Sequence, residues 1–152
     1  MAGRISPDLP GAVLFVCNMN AIRSPMASAL MRHLTNNRVY ARSAGVRMGE
    51  NNPFAIQTMD EIGIDISQHE PVMLHELHDS TFDFIFTLTP EAHHQALELT
   101  RTMAVDVEYW PTLDPSLASG AREQILEAYR TCRDQLLQRI KTRFALQGMP
   151  SF

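Results

Sequence analysis

Apolar residues in this chain fall alternately into short unbroken runs and longer segments with helical spacing. The run from Ala12 to Cys17 (AVLFVC) is unbroken. A run this short without alternation predicts a strand buried on both faces, as in a parallel sheet. Polar residues follow, and Met26, Ala27, Leu30, Met31 and Leu34 then recur at helical spacing. They predict a helix over 23–34, with Ser24-Pro25 near its start. Val39 to Ser43 is a second strand candidate, ended by Gly45. Asn52 to Ile62 reads as a helix with Pro53 in its first turn and Gly63 after its last. Leu74 to Leu77 suits a short helix, Phe82 to Thr87 a third strand, Pro90 to Thr100 a helix and Val105 to Tyr109 a fourth strand. Trp110 to Gly120 is a proline-bearing loop. Ile125, Tyr129, Cys132, Leu136 and Ile140 share one face of a long amphipathic helix over 121–144.

Strand and helix alternate four times. This order predicts an α/β fold in three layers, a four-stranded parallel sheet with helices on both faces. Loops that follow parallel strands gather at one edge, so the site is expected at the carboxyl ends. With 152 residues and no internal repeat or linker, the chain suits a single domain over 12–152 behind a flexible leader, 1–11.

Composition changes this picture little. A net charge of −4 speaks against a nucleic-acid or anionic-membrane partner, since neither attracts an acidic surface. Locally, the segment from Arg23 to Arg47 holds five arginines and no acid, a solvated basic face or a positive field around an anion site. No run approaches the roughly 18 apolar residues of a membrane span. Met1 to Gly11 carries Arg4, Asp8 and two prolines, which is no signal peptide. A cytoplasmic location with two free thiols, Cys17 and Cys132, is expected.

The chemistry concentrates between the first strand and the first helix, in Cys17-Asn-Met-Asn-Ala-Ile-Arg23-Ser24-Pro25. Five residues between cysteine and arginine can curl into a cradle whose N–H groups converge on one anion. The helix start behind it adds unpaired N–H groups and the positive end of a dipole. Arg23 can hold two phosphate oxygens at once. The same field favours a thiolate at Cys17, to which Ser24 can donate a hydrogen bond. Asn18, Met19, Asn20, Ala21, Ile22, Arg23 and Ser24 thus form the expected phosphate-binding loop. Asp114 lies in a stiffened loop after the fourth strand, on the same edge, where a carboxylic acid can protonate a leaving oxygen.

This stretch resembles the phosphate loop of the low-molecular-weight protein tyrosine phosphatases, whose pattern is Cys-x-Gly-Asn-x-Cys-Arg-Ser-Pro and whose fold is shared with one branch of the arsenate reductases. Ser43-Ala44-Gly45, Glu61 to Ser67 and Asp114-Pro115 are similar to the same family. The resemblance implies Cys17 as nucleophile, Arg23 as clamp, Ser24 as thiolate partner and Asp114 as general acid. It sets Asn20 on the family's loop asparagine and Ser43 on a serine that helps hold it. It implies a phosphate monoester hydrolase working through a phosphocysteine without metal or other cofactor, on a phosphorylated protein or a small phosphate ester. An arsenate reductase using an external thiol is a second reading, and a catalytically weak phospho-ligand binding module a third. The oligomeric state is left open.

Three departures from the family pattern matter. Met19 replaces glycine, Ile22 replaces the second cysteine, and Ser116-Leu117 follow Asp114-Pro115 where phosphotyrosine-preferring members usually carry aromatic residues. Phe54 and Trp110 are the aromatic candidates for a wall of the site. Thioredoxin-coupled arsenate reductases carry two extra cysteines near the loop after the third strand, and Thr87 to Gln95 has none. Cys132 reads as a packing cysteine on the apolar helix face, with a resolving thiol as the alternative. His75, His78, His93 and His94 read as helix-surface residues rather than metal ligands, with His93 or His94 near the site mouth.

Overall fold

The structure, a computed structural model, describes residues 9–77 and 81–146. Residues 1–8 of the expected leader, His78, and residues 147–152 of the expected domain lie outside the described residues. Four strands, β1 (Ala12–Cys17), β2 (Tyr40–Gly45), β3 (Phe84–Thr87) and β4 (Asp106–Tyr109), form one sheet in the order β2-β1-β3-β4. All three pairings are parallel. The helices are α1 (Arg23–Leu34), α2 (Pro53–Asp60), α3 (Pro90–Leu99) and α4 (Arg122–Arg143).

The unbroken run of β1 has its reason in this order. With a strand on either side and helices on both faces, β1 is buried from Val13 to Cys17. Val13, Phe15 and Cys17 belong to a core shared with α1, α2 and α4. Leu14 and Val16 belong to a second core with Ala92 and Ala96 of α3. Each buried valine, leucine or phenylalanine side chain stabilises the fold by roughly 1.5–3 kcal/mol. Phe86 stacks on Phe15 at 5.2 Å and lies 4.3 Å from the Trp110 ring. Polar contacts fasten α4 to the end of α2, where Arg133 donates to the Thr58 carbonyl at 2.7 Å and to Glu61 at 2.9 Å.

Some boundaries differ from the sequence expectation. β2 runs on to Gly45, because Gly45 N–H donates to the Val72 carbonyl and Val46 N–H to that of Cys17. β3 starts at Phe84, and the Asp83 carboxylate just before it ties down the start of β1 by accepting from Gly11 and Ala12 N–H at 2.8 and 3.0 Å. Short 3-10 turns occupy Leu74–Glu76, Thr100–Thr102 and Pro115–Leu117. Among the described residues no helix is long and apolar enough to cross a membrane. After β2 the chain passes over β1 to reach β3. The connections leaving β1 and β3 therefore diverge, and a crevice opens at their carboxyl ends.

Candidate active site

β1 ends at Cys17, and the chain then curls over the carboxyl edge of the sheet. The β2 side follows it: Arg47 N–H donates to the Asn18 carbonyl at 2.7 Å. Thr89 Oγ1 donates to Asn18 Oδ1 at 2.7 Å and accepts from Ala92 N–H, so the residue capping α3 also anchors the loop. Asn20 lies at the turn with φ 52° and is fully buried. Asparagine tolerates this left-handed conformation better than most residues. Its Nδ2 donates to Ser24 Oγ at 2.9 Å, and its Oδ1 accepts from Val72 N–H at 2.9 Å. Its carbonyl lies 2.9 Å from His69 Nε2. Burial pushes the His69 imidazole below its ordinary value, and the hydrogen bond to Asn20 opposes that.

Met19 does not carry the left-handed conformation, so replacing the family's glycine costs the loop no strain there. Its side chain is turned to the rim. Two glycines elsewhere make room for the cradle. A Cβ on Gly49 would lie 2.6 Å from the Met19 carbonyl oxygen, and a Cβ on Gly45 would lie 2.7 Å from Asn20 N.

Cys17 Sγ lies 2.9 Å from Ser24 Oγ, which also lies 3.3 Å from the Ala44 carbonyl. No side chain caps α1 and its first turn holds no acid, so the donors at its start are left for an anion. The Arg23 guanidinium is fastened by Nη1 donating to the Thr112 carbonyl at 2.8 Å. Its Nη2 lies 3.8 Å from Asp114 Oδ2. Asp114 caps the Pro115–Leu117 turn, its Oδ1 accepting from Ser116 N–H at 2.9 Å and from Ser116 Oγ at 2.7 Å. A pocket of about 230 Å³ is lined by Cys17, Met19, Ala21, Ile22, Arg23 and Asp114 together with Gly49, Glu50, Asn52 and Ser116. It places a thiol, a guanidinium and a carboxyl group around one space.

Most residues singled out from the sequence therefore meet. Asn18, Asn20 and Ser24 stand behind the pocket and hold its wall. Ser43 corrects the expectation: Ser24 and Val72 hold the Asn20 carboxamide, while Ser43 lines a separate small pocket with Arg32 and His69. Neither aromatic candidate forms a wall. Trp110 is buried against Phe15 and Phe86, and Phe54 packs on Tyr129 at 5.4 Å. His93 sits in the first turns of α3, its Nδ1 2.9 Å from Thr87 Oγ1 and its ring stacked on Tyr109. Cys132 is buried in the core, and burial pushes its thiol up to about 12. Residues the sequence did not flag complete the site: Val72, His69 and Thr112 support it, and Gly49, Glu50 and Asn52 line it, together with Ser116, noted above only as a departure from the family pattern. Asn52 alone had a local signal, as the residue before Pro53; its Oδ1 caps α2 and its Nδ2 donates to Tyr129 Oη at 3.1 Å.

A family model described as low molecular weight phosphotyrosine protein phosphatase matches residues 12–144. An arsenate reductase of Shouchella clausii is 33% identical over 136 residues, covering 90% of this chain and 96% of that protein. A glutaredoxin arsenate reductase of Synechocystis is 29% identical over 134 residues, covering 88% and 95%. A solved low molecular weight protein tyrosine phosphatase from T. tengcongensis shares the fold with a TM-score of 0.74 at 24% identity, over 88% of this chain and 97% of that one.

Proposed function

The chain belongs to the low molecular weight phosphotyrosine protein phosphatase family, and from that premise we propose that it hydrolyses phosphate monoesters through a phosphocysteine. The observation that carries this reading is the convergence of Cys17, Arg23 and Asp114 on one pocket. In the first step the Cys17 thiolate attacks phosphorus in line, the bond from phosphorus to the ester oxygen breaks, and Asp114 gives that oxygen its proton. Arg23 and the loop N–H groups hold the remaining phosphoryl oxygens as charge builds on them. In the second step water attacks phosphorus and passes a proton to the Asp114 carboxylate. The sulfur–phosphorus bond breaks, returning thiolate and inorganic phosphate. The acid supports a hydrolase over a pure binding module, since binding alone has no use for a proton donor. The substrate is a phosphorylated protein or a small phosphate ester. Among the described residues no aromatic ring lines the pocket, and these walls offer nothing that selects a phosphotyrosine ring.

The names of the relatives favour a second reading, arsenate reduction, because arsenate has the shape and charge of phosphate. Here only Cys17 would form the thiol–arsenate adduct. Cys132 is buried and held protonated, so the electrons would come from an external thiol.

Hydrolysis of p-nitrophenyl phosphate in the presence of chelator, by wild type and Cys17→Ser, tests the first reading. Turnover by wild type and its loss in the variant are expected. A folded, reduced wild type without turnover overturns the phosphatase reading. Arsenate reduction with glutathione and glutaredoxin, and phosphopeptide binding, then become the assays to run.

A further inference from the structure

Among the described residues, the Asp114 carboxyl accepts hydrogen bonds at one oxygen only. Ser116 N–H and Ser116 Oγ both donate to Asp114 Oδ1, at 2.9 and 2.7 Å, and the other oxygen, Oδ2, faces Arg23 Nη2 at 3.8 Å. Both side chains line the pocket with Cys17. The backbone N–H cannot turn away, so a proton on Oδ1 would confront a second hydrogen. A proton carried by Asp114 is therefore directed to Oδ2, the oxygen turned toward the clamp and the position of the ester. A carboxylate with two rotatable bonds loses this preference unless something fixes its plane, and the Ser116 hydroxyl supplies the second fixing contact.

We propose that Ser116 is a positioning residue that fixes Asp114 so that the proton given to the leaving oxygen in the first step comes from Oδ2. The inference rests on the phosphatase reading. It also names the substrate dependence that follows. Protonation matters little for an ester whose leaving group departs readily as an anion, and greatly for one whose leaving group is basic. Ser116 thus extends the enzyme's range from activated aryl esters toward unactivated aryl and alkyl esters.

The test measures kcat and KM for p-nitrophenyl phosphate, phenyl phosphate and an alkyl phosphate. It uses wild type, Ser116→Ala, Ser116→Thr, Asp114→Asn and the double variant Asp114→Asn/Ser116→Ala. Ser116→Ala is expected to lower kcat on phenyl and alkyl phosphate about tenfold, on the order of one hydrogen bond to a charged group. KM should stay within about twofold, and p-nitrophenyl phosphate should lose less than about threefold. Ser116→Thr restores the rate, and Ser116→Ala adds no loss in the Asp114→Asn background. An equal loss on all esters, a rise in KM alone, an undiminished loss in the Asp114→Asn background, or unchanged rates would each overturn the proposal while leaving the phosphatase reading standing. A wild type inert on every ester overturns both.

Discussion

The sulfur of Cys17 and the hydroxyl oxygen of Ser24 lie 2.9 Å apart, both buried. Ser24 accepts from Asn20 Nδ2, so its single proton is shared between the sulfur and the more distant Ala44 carbonyl. A thiolate draws that proton to itself. Hydrogen bonds to charged groups contribute roughly 1.5–3 kcal/mol, and about 1.4 kcal/mol is tenfold in rate. Ser24→Ala should therefore lower kcat on an aryl phosphate by roughly 10- to 100-fold. Thiolate ultraviolet absorbance, followed against pH, would show whether the loss lies in the nucleophile. An unchanged kcat would assign Ser24 to packing alone.

Gly45 and Gly63 make a contrasting pair. At Gly45 an added Cβ meets backbone atoms, Asn20 N at 2.7 Å and Arg47 O at 2.8 Å, so the loop itself must shift. Gly45→Ala is expected to weaken inorganic phosphate binding at least about tenfold, a loss of ~1.4 kcal/mol, while circular dichroism shows the fold retained. At Gly63 φ is 79° with nothing within 4 Å. Gly63→Ala should cost about 1 kcal/mol of stability in urea unfolding and leave phosphate affinity as it was.

The His69 imidazole binds its proton less readily in the folded chain, chiefly because of burial. Its ordinary value, 6.5, stands for the unfolded chain. As pH falls through that value the unfolded chain takes up a proton that the folded chain resists. Stability that is complete above it is thus lost on acidification. The unfolding free energy of wild type should decline as pH falls below about 6.5. A His69→Gln variant should show a shallower decline, and equal slopes in a urea series at several pH values would count against this account.

Ile22 leaves the loop of Cys17 without a second cysteine, and Cys132 is buried and held protonated. An oxidised Cys17 is then expected to meet no reactive thiolate with which to form a protecting disulfide, and its sulfenic acid to proceed to sulfinic and sulfonic acids. Peroxide is expected to inactivate the enzyme in a way dithiothreitol does not reverse. Full recovery after reduction, or a disulfide between Cys17 and Cys132 in the mass spectrum, would reject this.

What the sequence made legible was local. A buried strand ending in Cys17, a helix starting at Arg23, and Asp114 before Pro115 are each signalled within a few residues, and parallel topology sends them to one edge. The supports of the loop are not signalled. Val72 and His69 reach Asn20 from 52 and 49 residues away. They lie in a segment with no periodicity, shaped by Gly45 N–H pairing with the Val72 carbonyl. Ser43 illustrates the limit, since a place in the family pattern does not say which neighbour has already taken the Asn20 carboxamide. Trp110 illustrates another. An aromatic residue at the edge of a strand can line a site or fill a core, and here Phe15 and Phe86 draw it inward.

The Arg23 guanidinium is fastened by a carbonyl 89 residues further along the chain. During synthesis the cysteine and its cradle are made early, while Thr112 and Asp114 are added about 90 residues after Arg23. A nascent chain of half length thus holds a thiol with an untethered guanidinium and no acid beside it. The pocket is thus completed by the loop that follows the last strand, and a fragment that ends at β4 lacks one of its walls.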